Sequence, residues 1–130
     1  MKVSIGQYIY AALNAIGGLT VYPVIADFNN ATPTTPFVVY QRTGCTPEYT
    51  KNLFTGSIRH SYAVTVADND YTNTVTKAES VINAMLDLSH KAKTGINFNQ
   101  VQLVDLNEDF IEGIYTQTLQ FEINTTEIKP

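Results

Sequence analysis

The acidic segment 68–72 is the part of this sequence that most resembles a metal site. Asp68, Asp70 and Thr72, with Glu79 eleven residues after Asp68, imitate several ligand positions of a calcium-binding loop. That loop needs a glycine at its sixth position for a sharp turn, and Asn73 stands there. A helical hydrophobic pattern also begins directly after this segment. We therefore interpret Asp70 as the N-cap of a helix and predict no metal site.

Nucleophilic catalysis has weak candidates. Cys45, His60 and an aspartate, either Asp68 or Asp105, could nominally supply the nucleophile, base and orienting group of a thiol hydrolase. Cys45 has neither a glycine-framed elbow nor a helix start beside it to activate its thiol. His90 is expected at a helix end, and two histidines without a second ligand at metal spacing favour structural roles. With no phosphate-binding glycine loop or dinucleotide fingerprint, the sequence predicts neither an enzyme nor a cofactor site.

Composition limits the class of protein further. The chain has 130 residues, which predicts one domain over 1–130. Charged residues make up only 15%, below the usual share of about 25%, so the surface must be rich in uncharged polar side chains. The net charge of −4 and only eight Lys and Arg argue against nucleic-acid binding. A single cysteine excludes an intrachain disulfide.

No apolar run approaches the length of a membrane span, and the first residues lack the pattern of a signal peptide. A cytoplasmic location without membrane association is therefore the default expectation.

Hydrophobic periodicity predicts two helices, over 5–16 and 71–88. We expect the first to begin with a capping box of Ser4 and Gln7 and to end at Gly17-Gly18, and the second to begin at Asp70. Five strands are predicted from β-branched, aromatic and alternating residues: 19–26, 37–40, 57–67, 96–106 and 111–124.

Turn chemistry predicts the connections. A loop is expected over 27–35, a turn at Asn107-Glu108-Asp109, and a frayed tail over 125–130. The segment 43–55 is interpreted as a long connection or a splayed hairpin tip.

The order of elements is therefore α-β-β-β-α-β-β. It predicts an α+β fold in which an antiparallel or mixed sheet of about five strands carries two helices on one face. The strand 37–40 is apolar on both faces, so we expect helices on one side and either a further layer or a neighbouring subunit on the other.

Aromatic and charged residues in and around 43–55 have the composition of a protein interface. We predict an oligomer or partner interface formed by Arg42, Glu48, Tyr49, Lys51, Leu53, Phe54 and Arg59. The alternative of an ordinary solvated loop stays open.

The order and spacing of four local patterns resemble a known family. A first helix ends in Gly-Gly and is followed by Val21-Tyr22-Pro23, and the strand TPFVVYQ follows over 35–41. The strand YAVTV over 62–66 then leads to an acidic helix start at 68–71, and a closing strand runs from Gly113-Ile114-Tyr115 to Phe121. Together these resemble the tail-terminator proteins of long-tailed bacteriophages and related prophages, also called tail-completion or head-to-tail joining proteins.

The resemblance implies a structural protein without catalysis or cofactor. Proteins of this family form a ring, usually a hexamer, at the head-proximal end of the tail tube. The ring stops polymerisation of the major tail-tube protein and docks onto the head connector. DNA passes through its centre without specific binding. The implied location is the virion, after assembly in the cytoplasm of the bacterial host. The segment 43–56 carries few of the charges expected of the family's docking faces, so individual contact residues are not transferred.

Two other hypotheses remain open from the sequence. The chain could be another neck or tail component, such as a head-completion or tube-like protein. It could also be a small enzyme or ligand-binding α+β domain.

Overall fold

A mixed sheet of six strands carries both helices. The computed structural model describes residues 1–23 and 35–128. Its elements are α1 Gly6–Asn14, β1 Thr20–Pro23, β2 Phe37–Thr50, β3 Leu53–Asp68, α2 Tyr71–Leu86, β4 Ala92–Lys93, β5 Ile96–Ile111 and β6 Ile114–Glu127. The strands lie in the order β1-β2-β3-β6-β5-β4. β1 is parallel to β2, and the remaining neighbours are antiparallel.

This architecture confirms the predicted α+β class with two helices on a sheet. The sixth strand is β4, whose two residues pair with the start of β5. A strand of that length has no readable alternation, which is why five strands were expected. The end of the predicted first strand and most of the loop over 27–35 lie outside the described residues.

The core lies between the helices and the central strands. Ile9 and Leu13 of α1 and Val81 and Met85 of α2 are buried in one cluster with residues of β2, β3, β5 and β6. Along β6, Leu119, Phe121 and Ile123 are buried while the alternate residues are more exposed, as the alternation predicts. No helix in the described part of the chain is long and apolar enough to cross a membrane.

The strand predicted to be covered on both faces is the first part of β2. Val38 and Tyr40 are buried in the core, whereas Phe37 and Val39 are half-buried on the opposite face. The Phe37 ring packs edge-on against Tyr22 of β1 at a centroid distance of 6.0 Å. Helices therefore cover one face of the strand, and the other face is partly open.

The start of α2 and the end of α1 follow the predicted local chemistry. The Asp70 carboxylate accepts a hydrogen bond from the Asn73 N–H at 2.9 Å, so the predicted N-cap of α2 is confirmed. Gly17 and Gly18 follow α1 with φ of 78° and 71°, the left-handed conformation expected of a helix stop. Both helices are shorter than predicted.

The predicted capping box of α1 is wrong. Ile5 occupies the N-cap position without a side-chain hydrogen bond, and the Ser4 hydroxyl donates to the Gln7 side-chain oxygen at 3.2 Å. The two side chains satisfy each other instead of the helix backbone.

The predicted turn at Asn107-Glu108-Asp109 is also wrong. These residues pair with Thr118, Gln117 and Thr116 inside the β5–β6 ladder. The chain reverses at Glu112-Gly113, where both residues have positive φ, 52° and 82°. Glycine supplies this conformation at no steric cost, whereas Asn and Asp residues merely tolerate it.

Residues 125–127 are more ordered than predicted. Thr125 and Thr126 pair with both β3 and β5, and Glu127 pairs with β5, so the expected frayed tail is wrong for these three residues. Residues 129–130 of the predicted tail lie outside the described residues. Thr125 is buried, because its side chain lies beside His60 of β3.

Side chains form hydrogen bonds with backbone groups along the outer edge of β5. The Ser89 hydroxyl accepts from the Val101 N–H at 2.7 Å and donates to the Val101 carbonyl at 3.3 Å. Farther along, the Leu106 and Phe110 N–H groups donate to the carboxylates of the residues before them, Asp105 and Asp109, at 2.9 and 2.8 Å.

Candidate interaction surfaces

Cys45 and His60 lie side by side as cross-strand partners on β2 and β3. Cys45 is exposed, whereas His60 is fully buried with its Nε2 3.2 Å from the Thr125 hydroxyl oxygen. Burial in the core, reinforced by the positive charge of Arg42, lowers the pKa of His60 to about 4. His60 is therefore uncharged at neutral pH and closed off from solvent.

Neither aspartate proposed for a hydrolase site lies next to Cys45 and His60. Asp68 lies eight residues farther along the same strand, which corresponds to about 26 Å. Its Oδ1 accepts from the Asn69 N–H at 2.7 Å. Asp105 is on β5, which β6 separates from β3. Within residues 1–23 and 35–128, no three His, Cys, Asp or Glu side chains cluster as metal ligands would.

The segment predicted as an interface forms the tip of the β2–β3 hairpin. We call residues 48–54 the β2–β3 tip. Lys51 and Asn52 make its two-residue turn, with φ of 49° and 67°. Positive φ at both positions is the geometry of a type I′ hairpin turn, whose twist matches that of the flanking strands. The segment predicted as a long connection or a splayed hairpin tip is therefore a paired hairpin, with register shifts between Arg42 and Gly44 and between Pro47 and Tyr49.

The tip presents apolar side chains to solvent. Tyr49 and Phe54 are cross-strand partners with ring centroids 6.1 Å apart. Tyr49 is 58% exposed, and Leu53 beside the turn is 73% exposed. The Thr55 hydroxyl donates to the Glu48 carbonyl at 3.1 Å and links the two strands below the turn. Five of the seven predicted residues, Glu48, Tyr49, Lys51, Leu53 and Phe54, thus lie together on one projection.

Arg42 and Arg59 lie outside residues 48–54. Arg59 is seven residues from the turn along β3, about 23 Å away, but it lines a cavity together with Glu48 of the tip and forms an ion pair with Glu122 of β6 at 3.8 Å. The Arg42 guanidinium donates to the Val3 carbonyl and so holds the N-terminal segment.

A second projection was missed by the sequence reasoning. We call residues 104–115 the β5–β6 arm, because the hairpin formed by these strands extends beyond the helices' core cluster. Phe110 is 54% and Ile111 61% exposed, and Val104 and Leu106 are also exposed. Acidic residues alternate with them at positions 105, 108, 109 and 112, and no Lys or Arg occurs from 94 to 128. The alternation of acidic and apolar residues over 104–112 is a pattern typical of an exposed strand, but the Asn107-Glu108-Asp109 run resembles a turn and led to the wrong prediction.

Polar and aromatic contacts hold the arm to the start of α2. The Glu108 carboxylate accepts from the Gln117 side-chain amide at 2.8 Å and from the Tyr71 hydroxyl at 3.0 Å. These two hydrogen bonds lower the pKa of Glu108, and the bond to Glu108 raises the pKa of Tyr71. The Tyr115 ring packs between Phe110 and Tyr71, with centroids 4.4 and 5.5 Å away.

The two projections lie at opposite ends of the sheet. Near the β2–β3 tip, Ser57 of β3 pairs with Thr126 of β6. Near the β5–β6 arm, Asp68 pairs with Tyr115. One subunit therefore offers two separate apolar contact points along the strand direction.

The helical layer contains a groove of about 420 Å³ between α1 and the end of α2. Small side chains line much of it: Ala11, Ala12, Ala15 and Ala84. At one end the lining includes Lys91, which forms an ion pair with Asp87 at 3.2 Å, and Lys93, whose ammonium lies 5.9 Å from the centre of the Tyr8 ring.

Comparison with known proteins gives an informative similarity among solved structures. The chain matches no protein-family model, and it matches none of the curated proteins. Among solved structures, it is similar to a chain of the virion of a native gene transfer agent (GTA) particle, with a TM-score of 0.69. The two are 13% identical, and the similarity covers 91% of each chain. At this identity the comparison establishes a shared fold: the chain has the fold of a virion chain of a gene transfer agent.

Proposed function

We propose that this protein is a structural subunit of a virion, specifically a tail-terminator subunit. In this role it forms a ring, of six copies by analogy with the family that the sequence resembles, on the head-proximal end of the tail tube. The ring ends tube polymerisation and joins tail to head. The observation that carries the proposal is the fold similarity to a gene transfer agent virion chain over nine-tenths of both chains.

Two features of the surface support this role. The apolar β2–β3 tip and β5–β6 arm lie at opposite ends of the sheet, as suits a subunit with partners on two sides. The low density of Lys and Arg suits a ring through which DNA passes without being held, since each phosphate contact adds salt-sensitive affinity. The proposed partners are further copies of this chain, the major tail-tube protein and a head-connector protein. The role needs no catalysis or cofactor.

Within this function we assign the β2–β3 tip to the tail-tube protein. Exposed aromatic and aliphatic side chains at a protruding tip, flanked by Glu48 and Lys51, have the composition of an interface core with a polar rim.

Native mass spectrometry of the protein, alone and with the tail-tube protein, tests the assignment. A closed ring is expected, either alone or on the tube. A strict monomer at every concentration, with no ring after mixing with tube protein, would contradict it.

A fold shared with a virion chain does not distinguish a terminator from another neck or tail component, which is therefore the second candidate. Deletion of the gene separates the two. Loss of a terminator gives overlong tails, whereas loss of a head-completion protein gives heads without tails.

A further inference from the structure

We propose that the β5–β6 arm of one copy docks into the α1–α2 groove of a second copy, head to tail. The inference deepens the proposed function, because its role in closing a ring rests on that function.

The chemistry of the arm defines what can receive it. Phe110 and Ile111 project at the end of β5, each more than half exposed, and Asp109 and Glu112 flank them. With no Lys or Arg in residues 94–128, the arm carries uncompensated negative charge beside its apolar side chains. It therefore fits an apolar cavity with positive charge at its rim.

The α1–α2 groove has that character. Four alanines leave room along its length, and Ile16 and Leu88 add apolar surface. Lys91 and Lys93 against Asp87 give its lining a formal charge of +1 (two positive charges and one negative). The groove has a volume of about 420 Å³ and is open to solvent along its length.

The β2–β3 tip is a poorer receptor for the arm. Its apolar residues protrude, and the nearby Arg59 is already paired with Glu122. Contact between the arm and the tip would bury little surface, because both protrude. An arm inside the α1–α2 groove buries the apolar surface of both.

The arm cannot reach the groove of its own chain. The arm lies at the end of the sheet where Asp68 pairs with Tyr115. Lys91 and Lys93 lie at the opposite end, where Ile96, the partner of Lys93, also pairs with Glu127. Different surfaces of the two copies therefore meet, and such a heterologous contact generates a ring when the rotation closes.

A mixing experiment tests the contact. Ile111→Ser impairs the arm and leaves the groove intact, while Ala11→Tyr fills the groove and leaves the arm intact. By native mass spectrometry, each variant alone should be monomeric. An equimolar mixture should form a one-to-one dimer and nothing larger, because only one productive contact is available to each pair.

Charge reversal gives an independent measurement if Ala11→Tyr fails to fold. Glu112→Lys and Lys93→Glu should each raise the dissociation constant between copies at least tenfold, and the double variant should recover most of that loss. Circular dichroism checks folding.

The outcomes separate this inference from the proposed function. Rings that persist in both single variants, or a mixture that stays monomeric, would overturn the arm-in-groove contact while leaving the ring intact as a proposal. A wild-type chain that is monomeric at all concentrations, with or without tube protein, would overturn both.

Discussion

His60 links the ionisation of one side chain to the stability of the whole sheet. It is fully buried, and its pKa of about 4 lies below the ordinary value of 6.5. Below pH 6.5 His60 becomes protonated in the unfolded chain, whereas in the folded chain it stays neutral down to about pH 4. The stability contributed by neutral His60 is therefore complete above pH 6.5 and falls as the pH drops towards 4.

The variant His60→Gln should remove this dependence while keeping a polar group beside Thr125. Between pH 7 and pH 4, the free energy of unfolding of the wild type should fall by roughly 3 kcal/mol relative to that of the variant. Urea denaturation of both proteins across this range measures it. A difference between the two proteins that is constant with pH would contradict the assignment.

Asp70 should make a measurable contribution through its cap. Asp70→Ala leaves the Asn73 N–H without its acceptor and should lower the free energy of unfolding by about 1 kcal/mol. Asp70→Asn is the matched control, because asparagine caps equally well, and it should stay near wild type. Equal losses in the two variants would indicate that the charge, and not the hydrogen bond, stabilises α2.

These residues also show what sequence can predict. The Asp70 cap was foreseeable because it depends on residues three apart in the chain. The burial of His60 was not, because it depends on Thr125 in a strand 65 residues away. The neighbouring positions of Cys45 and His60 likewise follow from the β2–β3 register, which no local pattern fixes.

At the scale of elements, the central parts of the two long hairpins were predictable from the sequence, whereas their tips were less so. The central alternation of β3 and β6 was readable because one face is buried and the other is not. The pattern is weaker at the tips. Both faces of the strands are exposed there, so apolar and polar residues need not alternate. In β5, three polar residues that resemble a turn are instead held in the ladder by their partners on β6.

The β2–β3 turn offers a prediction about an element. Lys51 and Asn52 adopt a conformation that Asn-Gly favours more strongly. The double variant Lys51→Asn, Asn52→Gly should raise the free energy of unfolding by about 0.5–1 kcal/mol, because glycine relieves the steric cost of positive φ. Lys51→Gln is the control for loss of the charge alone. Thermal and urea unfolding measure both, and a destabilised double variant would show that the turn is not type I′.

At the scale of the whole molecule, side chains exposed at the β2–β3 tip can be changed without disturbing the core. Leu53 is 73% exposed, so its side chain contributes little to the core. Leu53→Asn should change the free energy of unfolding by no more than about 0.5 kcal/mol. If the tip docks on the tail tube, the same change should lengthen tails in electron micrographs.

Ile128→Asn is the matched control, since Ile128 is also an exposed aliphatic residue but lies outside both projections. It should leave tail length unchanged. Normal tails with Leu53→Asn would remove the tip from the tube contact.

The side-chain hydrogen bonds along the outer edge of β5 affect how this edge can contact other chains. An exposed strand invites another chain to extend the sheet, which leads to aggregation. Here Ser89, Asp105 and Asp109 satisfy backbone N–H groups of β5. These hydrogen bonds disfavour addition of another strand along this part of β5. Contacts between copies at this edge would then have to be made by side chains, and not by extension of the sheet.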